Sequence, residues 1–139
     1  MIDYCVEVRA ATPAERNAAV GILTEHAGEA GGAAPKFEPF SVLALCEGAV
    51  VAGVSGQVFW NWLYAELVWV EKPFRGSGIG RAVMQKAEET ARELGLSGIY
   101  LWTQSWQAPG FYSKLGFENF VVFDNFPPSH KRLGFRKYL

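Results

Sequence analysis

Residues 62–95 read WLYAELVWVEKPFRGSGIGRAVMQKAEETARELG. The first part, Trp62 to Val70, is an apolar run of strand length. Gly76, Gly78 and Gly80 then alternate between Arg75 and Arg81. After them Ile79, Val83, Ala87 and Ala91 recur every four residues, with Leu94 near the end and Gly95 as a stop. That pattern predicts a helix over about residues 78–94. A loop that runs from a strand straight into a helix exposes the first free N–H groups of the helix. Those donors and the helix dipole together favour an anion. Glycines let the anion reach the backbone with no Cβ in the way, and Arg75 and Arg81 add charge. The spacing excludes two common phosphate loops. A Walker loop needs Lys-Ser/Thr after its last glycine, which is absent. A dinucleotide fingerprint needs Gly-x-Gly-x-x-Gly, and here the third glycine comes one residue early. On the loop alone, a glycine turn without a ligand remains the plain alternative.

Working outward, SVLALCE and VVAGVSGQVFW read as strands joined by a tight turn at Glu47-Gly48. A turn at Asn61 then leads into Trp62–Val70, which makes an antiparallel meander. Near the start, IDYCVEVRA alternates Ile2, Tyr4, Val6 and Val8 against Asp3, Glu7 and Arg9, the pattern of a half-buried strand. Thr12, Pro13 and Glu15 form the capping signature of a helix over about residues 13–28, with an apolar stripe at Ala18, Ala19, Ile22 and Leu23. Residues 28–39 are rich in Gly, Ala and Pro and read as a loop. Downstream, SGIYLWTQ has apolar residues on both faces, as a parallel strand covered by helices does. APGFYSKLG reads as a short helix closed by Gly116; FENFVVFD and HKRLGFRKYL read as two last strands around the turn NFPPS. The order predicts an α/β fold with a mixed α+β sheet, mostly antiparallel and of about seven strands, flanked by helices in a single domain over residues 1–139.

The chain has 139 residues, half of them apolar, and a net charge of −1. It is long enough for a proper core, and its charge announces no polyanion-binding surface, so no nucleic-acid partner is expected. The basic tail HKRLGFRKYL reads as a solvated last strand. Cys5 and Cys46 sit in strand-like runs without a CxxC partner, so they are expected as buried free thiols with no metal or redox site. His26 and His130 have no paired acid or nucleophile in sequence. Asp3, Glu7 and Arg9 interrupt any leader-like run, and no long apolar stretch spans a membrane, so a cytoplasmic protein is expected. The five tryptophans are expected mostly in the core, with Trp60 and Trp62 placed to line an acceptor pocket.

VEKPFRGSGIGRAVMQKAEETARELG resembles the acetyl-coenzyme A signature of the GNAT superfamily of N-acetyltransferases: Arg/Gln-x-x-Gly-x-Gly/Ala between a strand and a helix, met here by Arg75, Gly78 and Gly80. QAPGFYSKLGF is similar to the second motif of the family, a Phe-Tyr helix ending in Leu-Gly-Phe. The element order matches over nearly the whole chain, and FPPSH before a basic last strand resembles a bacterial-type subgroup of small members. The resemblance implies acetyl-coenzyme A as cosubstrate. It implies pantetheine pairing along Leu67 to Val70, with Val68, Trp69 and Val70 as the candidate residues and Val68 and Val70 the best, in a gap where two strands splay apart. It places the pyrophosphate on the backbone amides of Gly76, Ser77, Gly78, Ile79, Gly80 and Arg81, with Arg75 as a further cofactor-binding residue. Tyr112 matches the tyrosine that protonates the departing thiolate. Glu66, nine residues before Arg75, matches a glutamate suggested as the amine's base in polyamine-acetylating relatives; burial would raise its pKa into a useful range. Many members use water chains instead. Where the family often has an asparagine seven residues before the tyrosine, this chain has Ser105, which bonds but reaches less far.

These residues together predict an enzyme that moves an acetyl group to a primary amine by direct attack in a ternary complex, with no metal. The acceptor is a small molecule or a peptide, and the loop from Gly28 to Pro39 is a candidate rim for its site. The alternative is an acyl-coenzyme A-binding sensor without turnover. A homodimer through the exposed edge of the last strand is a further expectation.

Overall fold

The structure is a computed structural model that describes residues 5–33 and 36–139. It divides into two compact units, Met1–Pro35 and Lys36–Leu139.

In the first unit, α1 spans Pro13–Glu29. Its start is the reciprocal box that Thr12 and Glu15 predict. The Glu15 N–H donates to Thr12 Oγ1 at 3.3 Å, and the Thr12 N–H donates to Glu15 Oε1 at 2.9 Å. Arg9 adds two donors to the same carboxylate, at 3.1 and 2.9 Å. Arg9 first, then Thr12, hold the Glu15 carboxyl at about 2, below its ordinary 4.5. A lowered folded-state pKa adds stability above the ordinary value and loses it as pH falls through the folded one. The first turn of α1 is therefore expected to fray between pH 4.5 and about 2. Carbon chemical shifts of residues 13–17 that stay helical at the low end overturn this.

Residues 5–12 form no strand and are exposed, and Met1–Tyr4 lie outside the described residues. The expected first strand is thus not found in its described part. Alternation says which side chains would face a core, but a strand also needs a neighbour to take its backbone hydrogen bonds. Cys5 is accordingly exposed rather than buried.

The second unit is built on six strands: β1 Phe37–Cys46, β2 Ala49–Phe59, β3 Trp62–Val70, β4 Gly98–Gln104, β5 Glu118–Asp124 and β6 Lys131–Tyr138. Their order across the sheet is β1-β2-β3-β4-β6-β5. β1 begins at Phe37, inside the expected loop, because Phe37 to Phe40 continue the ladder with β2. The turn at Glu47 and Gly48 has positive φ at both residues, which matches the twist of the flanking strands. A single 3-10 turn, Lys72–Phe74, leads to the glycine loop and α2, Ile79–Glu93; α3 is Gly110–Lys114. The apolar stripe of α2 places Val83, Met84, Ala87 and Ala91 in one buried cluster with Ala52, Val54, Leu63, Ile99 and Leu101 of the sheet. Cys46 at the end of β1 is exposed, against expectation.

Two features of the sheet depart from the sequence reading. β6 is an internal strand, paired over its length with β4 on one side and with β5 on the other. It has no free edge to add to a second subunit's sheet, against expectation; β5 is the edge. The second feature is a bulge in β3. Leu67 faces Ser55 and Tyr64 faces Gln57, so Ala65 and Glu66 together oppose Gly56. The bulge reverses the alternation: Leu63 and Ala65 enter the core before it, Val68 and Val70 after it. Gly56 makes this possible, since a Cβ there would lie 1.8 Å from the Tyr64 carbonyl oxygen and 2.9 Å from the Glu66 nitrogen. Because both neighbours are backbone, Gly56→Ala is expected to cost about 3 kcal/mol, the high end of ordinary overpacking. An unchanged urea midpoint for that variant overturns the reading.

Candidate active site

β3 and β4 pair in parallel only at Trp62–Gly98, Leu63–Ile99 and Tyr64–Tyr100. Beyond the bulge they separate, and a cavity of about 870 Å³ opens between the free edge of β3, the glycine loop and α3. Its wall includes Val68, Trp69 and Val70, the loop residues Arg75, Gly76, Gly78, Gly80 and Arg81, and Phe111 and Tyr112. The orientation of the β3 edge follows from one bond. The Glu71 N–H donates to the Val51 carbonyl of β2 at 2.8 Å. Backbone groups alternate along a strand, so those of Trp69 also face β2 and those of Val68 and Val70 face the gap. The Val70 carbonyl indeed accepts from Arg75 Nε at 2.9 Å, from outside the sheet. The Val68 N–H and carbonyl and the Val70 N–H are left facing the gap.

The glycine loop is shaped for its conformation and its openness together. Gly76 and Gly78 have φ of 75° and 87°, and a Cβ on either would meet nothing within 4 Å. The positive φ requires glycine, while the empty space in front leaves the loop backbone accessible. Gly78 is also the N-cap of α2, whose first turn holds no acidic residue, so the free N–H groups at its start keep their attraction for an anion. At Gly80 the requirement is steric: a Cβ would lie 3.3 Å from Val70 and 3.4 Å from Phe111. The Ser77 hydroxyl donates to the Phe74 carbonyl and steadies the turn. Ser77 is absent from the cavity wall, and the Ile79 side chain packs on the core.

Tyr112 is 8% exposed and packs edge-on to Phe111 and Phe117, with Phe135 tilted against it. Among the described residues no group hydrogen-bonds its hydroxyl, and no side-chain polar atom is both buried and without a partner. The hydroxyl therefore opens on the cavity whose wall the residue forms. Burial pushes its pKa up to about 12, which keeps the phenol protonated at neutral pH.

Besides Ser77 and Ile79, the expected site residues Glu66 and Ser105 stand apart from the cavity wall. Glu66, on the bulge, is exposed rather than buried. Ser105 is also exposed. Its N–H donates to the Lys131 carbonyl and its hydroxyl accepts from the Lys131 N–H at 3.2 Å, so it serves the end of the sheet. The wall is continued by the next residues, Trp106 and Gln107, to which the sequence reading gave no role in the site. Gln107 is positioned by its Oε1, which accepts from the Gln104 N–H at 3.0 Å. None of the five tryptophans lies in the buried core. Trp69 and Trp106 line the cavity, while Trp60 and Trp62 line a separate hollow of about 290 Å³.

Behind the cavity, Glu88 of α2 is nearly buried and meets Lys137 of β6 at 2.8 Å and Arg92 at 2.6 Å. Lys137 also donates to the Leu115 carbonyl at the end of α3, at 2.8 Å. One paired charge thus ties together α2, α3 and β6. The signal for it is legible in retrospect: Glu88 falls on the buried stripe of α2, where a carboxylate needs a partner. Among the described residues, no group of three His, Cys, Asp or Glu stands together, and no helix is long and apolar enough to cross a membrane.

A glycine loop on a helix start, a splayed strand pair and a buried tyrosine at the gap are the arrangement that the family resemblance implies. The chain belongs to the Acetyltransferase (GNAT) family, whose model matches residues 11–117. It is 38% identical over 82 residues, 58% of this chain, to the blasticidin-S acetyltransferase of Streptomyces morookaense. The chain spans about half the length of the curated relatives it matches, 60% in this case. Over 99% of its length it superposes on all of an acetyltransferase from Bacillus cereus ATCC 14579, with a TM-score of 0.87 and 26% identity. A candidate streptothricin acetyltransferase of Bacillus anthracis str. Ames, solved with acetyl coenzyme A, shares the fold at a TM-score of 0.61 and 24% identity, over 73% of this chain and 62% of that one.

Proposed function

We propose that this protein is an N-acetyltransferase that moves the acetyl group of acetyl-coenzyme A to a primary amine, by direct attack in a ternary complex, with the whole chain acting as one catalytic domain. The observation that carries this reading is the continuous cavity from the open glycine loop, along the free edge of β3, to the Tyr112 hydroxyl. Family membership and the acetyl coenzyme A held by a neighbour of the same fold support it.

Acetyl-coenzyme A supplies an activated acyl group as a thioester. The chain's own groups do the rest. Backbone N–H groups from Gly76 to Arg81 hold the pyrophosphate, helped by the start of α2 and by the guanidinium of Arg81. The Val68 N–H and carbonyl and the Val70 N–H pair with the amides of the pantetheine arm as an added strand would. A backbone N–H on this stretch of β3 stabilises the carbonyl oxygen as it gains charge. Tyr112 donates to the departing thiolate, and its burial keeps that proton available. The acceptor amine loses its proton to a water chain or to Glu66, whose exposure favours the water chain. The acceptor is a small-molecule or peptide amine.

The test is release of coenzyme A thiol on adding a panel of primary amines, with binding of acetyl-coenzyme A measured by calorimetry. Saturable binding with amine-dependent thiol release is expected. Binding with no release from any amine favours the sensor reading, and no binding sinks both.

A further inference from the structure

β6 carries four cations, and three of them have acidic partners: Lys131 with Asp124 at 3.3 Å, Arg136 with Glu118 at 2.6 Å and Lys137 with Glu88 at 2.8 Å. Arg132 has none among the described residues. Its guanidinium instead packs over two rings, 5.2 Å from the centroid of Trp102 and 5.2 Å from that of Phe126. Rings against a guanidinium hold it flat and strip part of its water, while its N–H edge stays free for a planar anion. A half-buried cation in this state gains most from a two-point partner such as a carboxylate.

The place of Arg132 matters as much as its state. It pairs with Gln104, the last residue of β4, whose other edge bounds the gap. Strand alternation puts Arg132 and Trp102 on the face opposite Leu101, Leu133 and Phe135, which join the core under α2 and α3. Those helices cover that face, and Arg132 stands on the other. The cavity wall and Arg132 also share one turn. Trp106 touches His130 edge-on at 4.7 Å, and the turn that ends at His130 carries Phe126, tied back by the Phe126 N–H to the His130 carbonyl at 3.1 Å.

We propose that Arg132 is an acceptor subsite, one that selects amines bearing a carboxylate by pairing with that group while the amine reaches into the gap. This rests on the acetyltransferase reading above.

The test is an NMR titration of the full chain in the presence of coenzyme A. The probes are N-acetylglycine, a minimal acetylated product with a carboxylate, and N-acetylglycinamide, its uncharged twin. Saturable shifts of the Trp102 indole N–H and the Arg132 Nε are expected with the acid and not with the amide. Arg132→Gln is expected to weaken the acid roughly ten- to hundredfold, the loss of a charge-assisted pair, without changing the amide. Arg132→Lys, which keeps the charge without the fork, should fall between. Equal binding of the two probes, no saturable shift at those atoms, or an unaltered affinity in Arg132→Gln overturns the proposal. An arginine that only clamps the turn would lower stability and affect both probes alike. The amides of Gly76 and Gly78 report coenzyme A separately. If they do not shift while the acid still binds at Arg132, the enzyme reading fails and the anion site stands.

Discussion

Tyr112→Phe is expected to lower kcat roughly 10²- to 10⁴-fold, the range for loss of a positioned general acid, and to leave the affinity for acetyl-coenzyme A unchanged. The substitution removes only the hydroxyl. The ring contacts with Phe111, Phe117 and Phe135 survive, so the core is expected to hold. The departing thiolate then leaves without a proton donor. The pH profile offers an independent check. Burial raises the phenol from its ordinary 10 to about 12, so its proton is bound more tightly in the folded state than in the unfolded one. Stability from this source is complete below pH 10 and is lost as pH rises through about 12. No tyrosine limb should therefore appear in the wild-type rate between about pH 6 and 9, well below the Tyr112 value of about 12. A kcat that survives the substitution removes Tyr112 from the chemistry and leaves it a core aromatic.

Gly78→Asp is expected to weaken acetyl-coenzyme A at least about a hundredfold with the fold intact, the worth of two or so charge-assisted bonds. Gly78 sits at φ 87° with nothing within 4 Å of a Cβ position, so the new carboxylate projects into open space at the start of α2. The backbone strain of a non-glycine residue there is on the order of 1–2 kcal/mol, and aspartate tolerates this region better than most. The carboxylate would both occupy the anion position and repel the pyrophosphate. Gly78→Ala separates the two effects, since it carries the strain without the charge. Calorimetry on the three proteins decides the matter: equal affinities for wild type and Gly78→Asp would remove the phosphates from this loop.

The local elements were largely legible in the chain. The Thr12-Pro13-Glu15 box, the turn at Glu47-Gly48, the four-residue repeat of α2 and the stop at Gly95 each act through neighbours in sequence, so sequence alone reveals them. The glycine loop was legible for the same reason, because a strand that runs into a helix start is a local event. Tyr112 was found only through its motif; as a lone aromatic it would have read as core, and its ring is core. The surroundings of Glu66 and Ser105 were not legible, because exposure and hydrogen-bond partners depend on distant segments: the bulge against Gly56 for one, Lys131 for the other.

By itself, then, the sequence determined the order of the elements from α1 onward, the meander, and a glycine loop that opens a helix between β3 and α2. All of these rest on contacts within a few residues, where φ preference and hydrophobic period act directly. Only the tertiary structure decided that β6 runs between β4 and β5, that β3 bulges at Gly56 and parts from β4, and that Arg132 has no acidic partner among the described residues where the other three cations of β6 have one. Those outcomes turn on which strand lies beside which. Pairing is settled by long-range packing and backbone hydrogen bonds, and the period of a single strand carries no record of its partner.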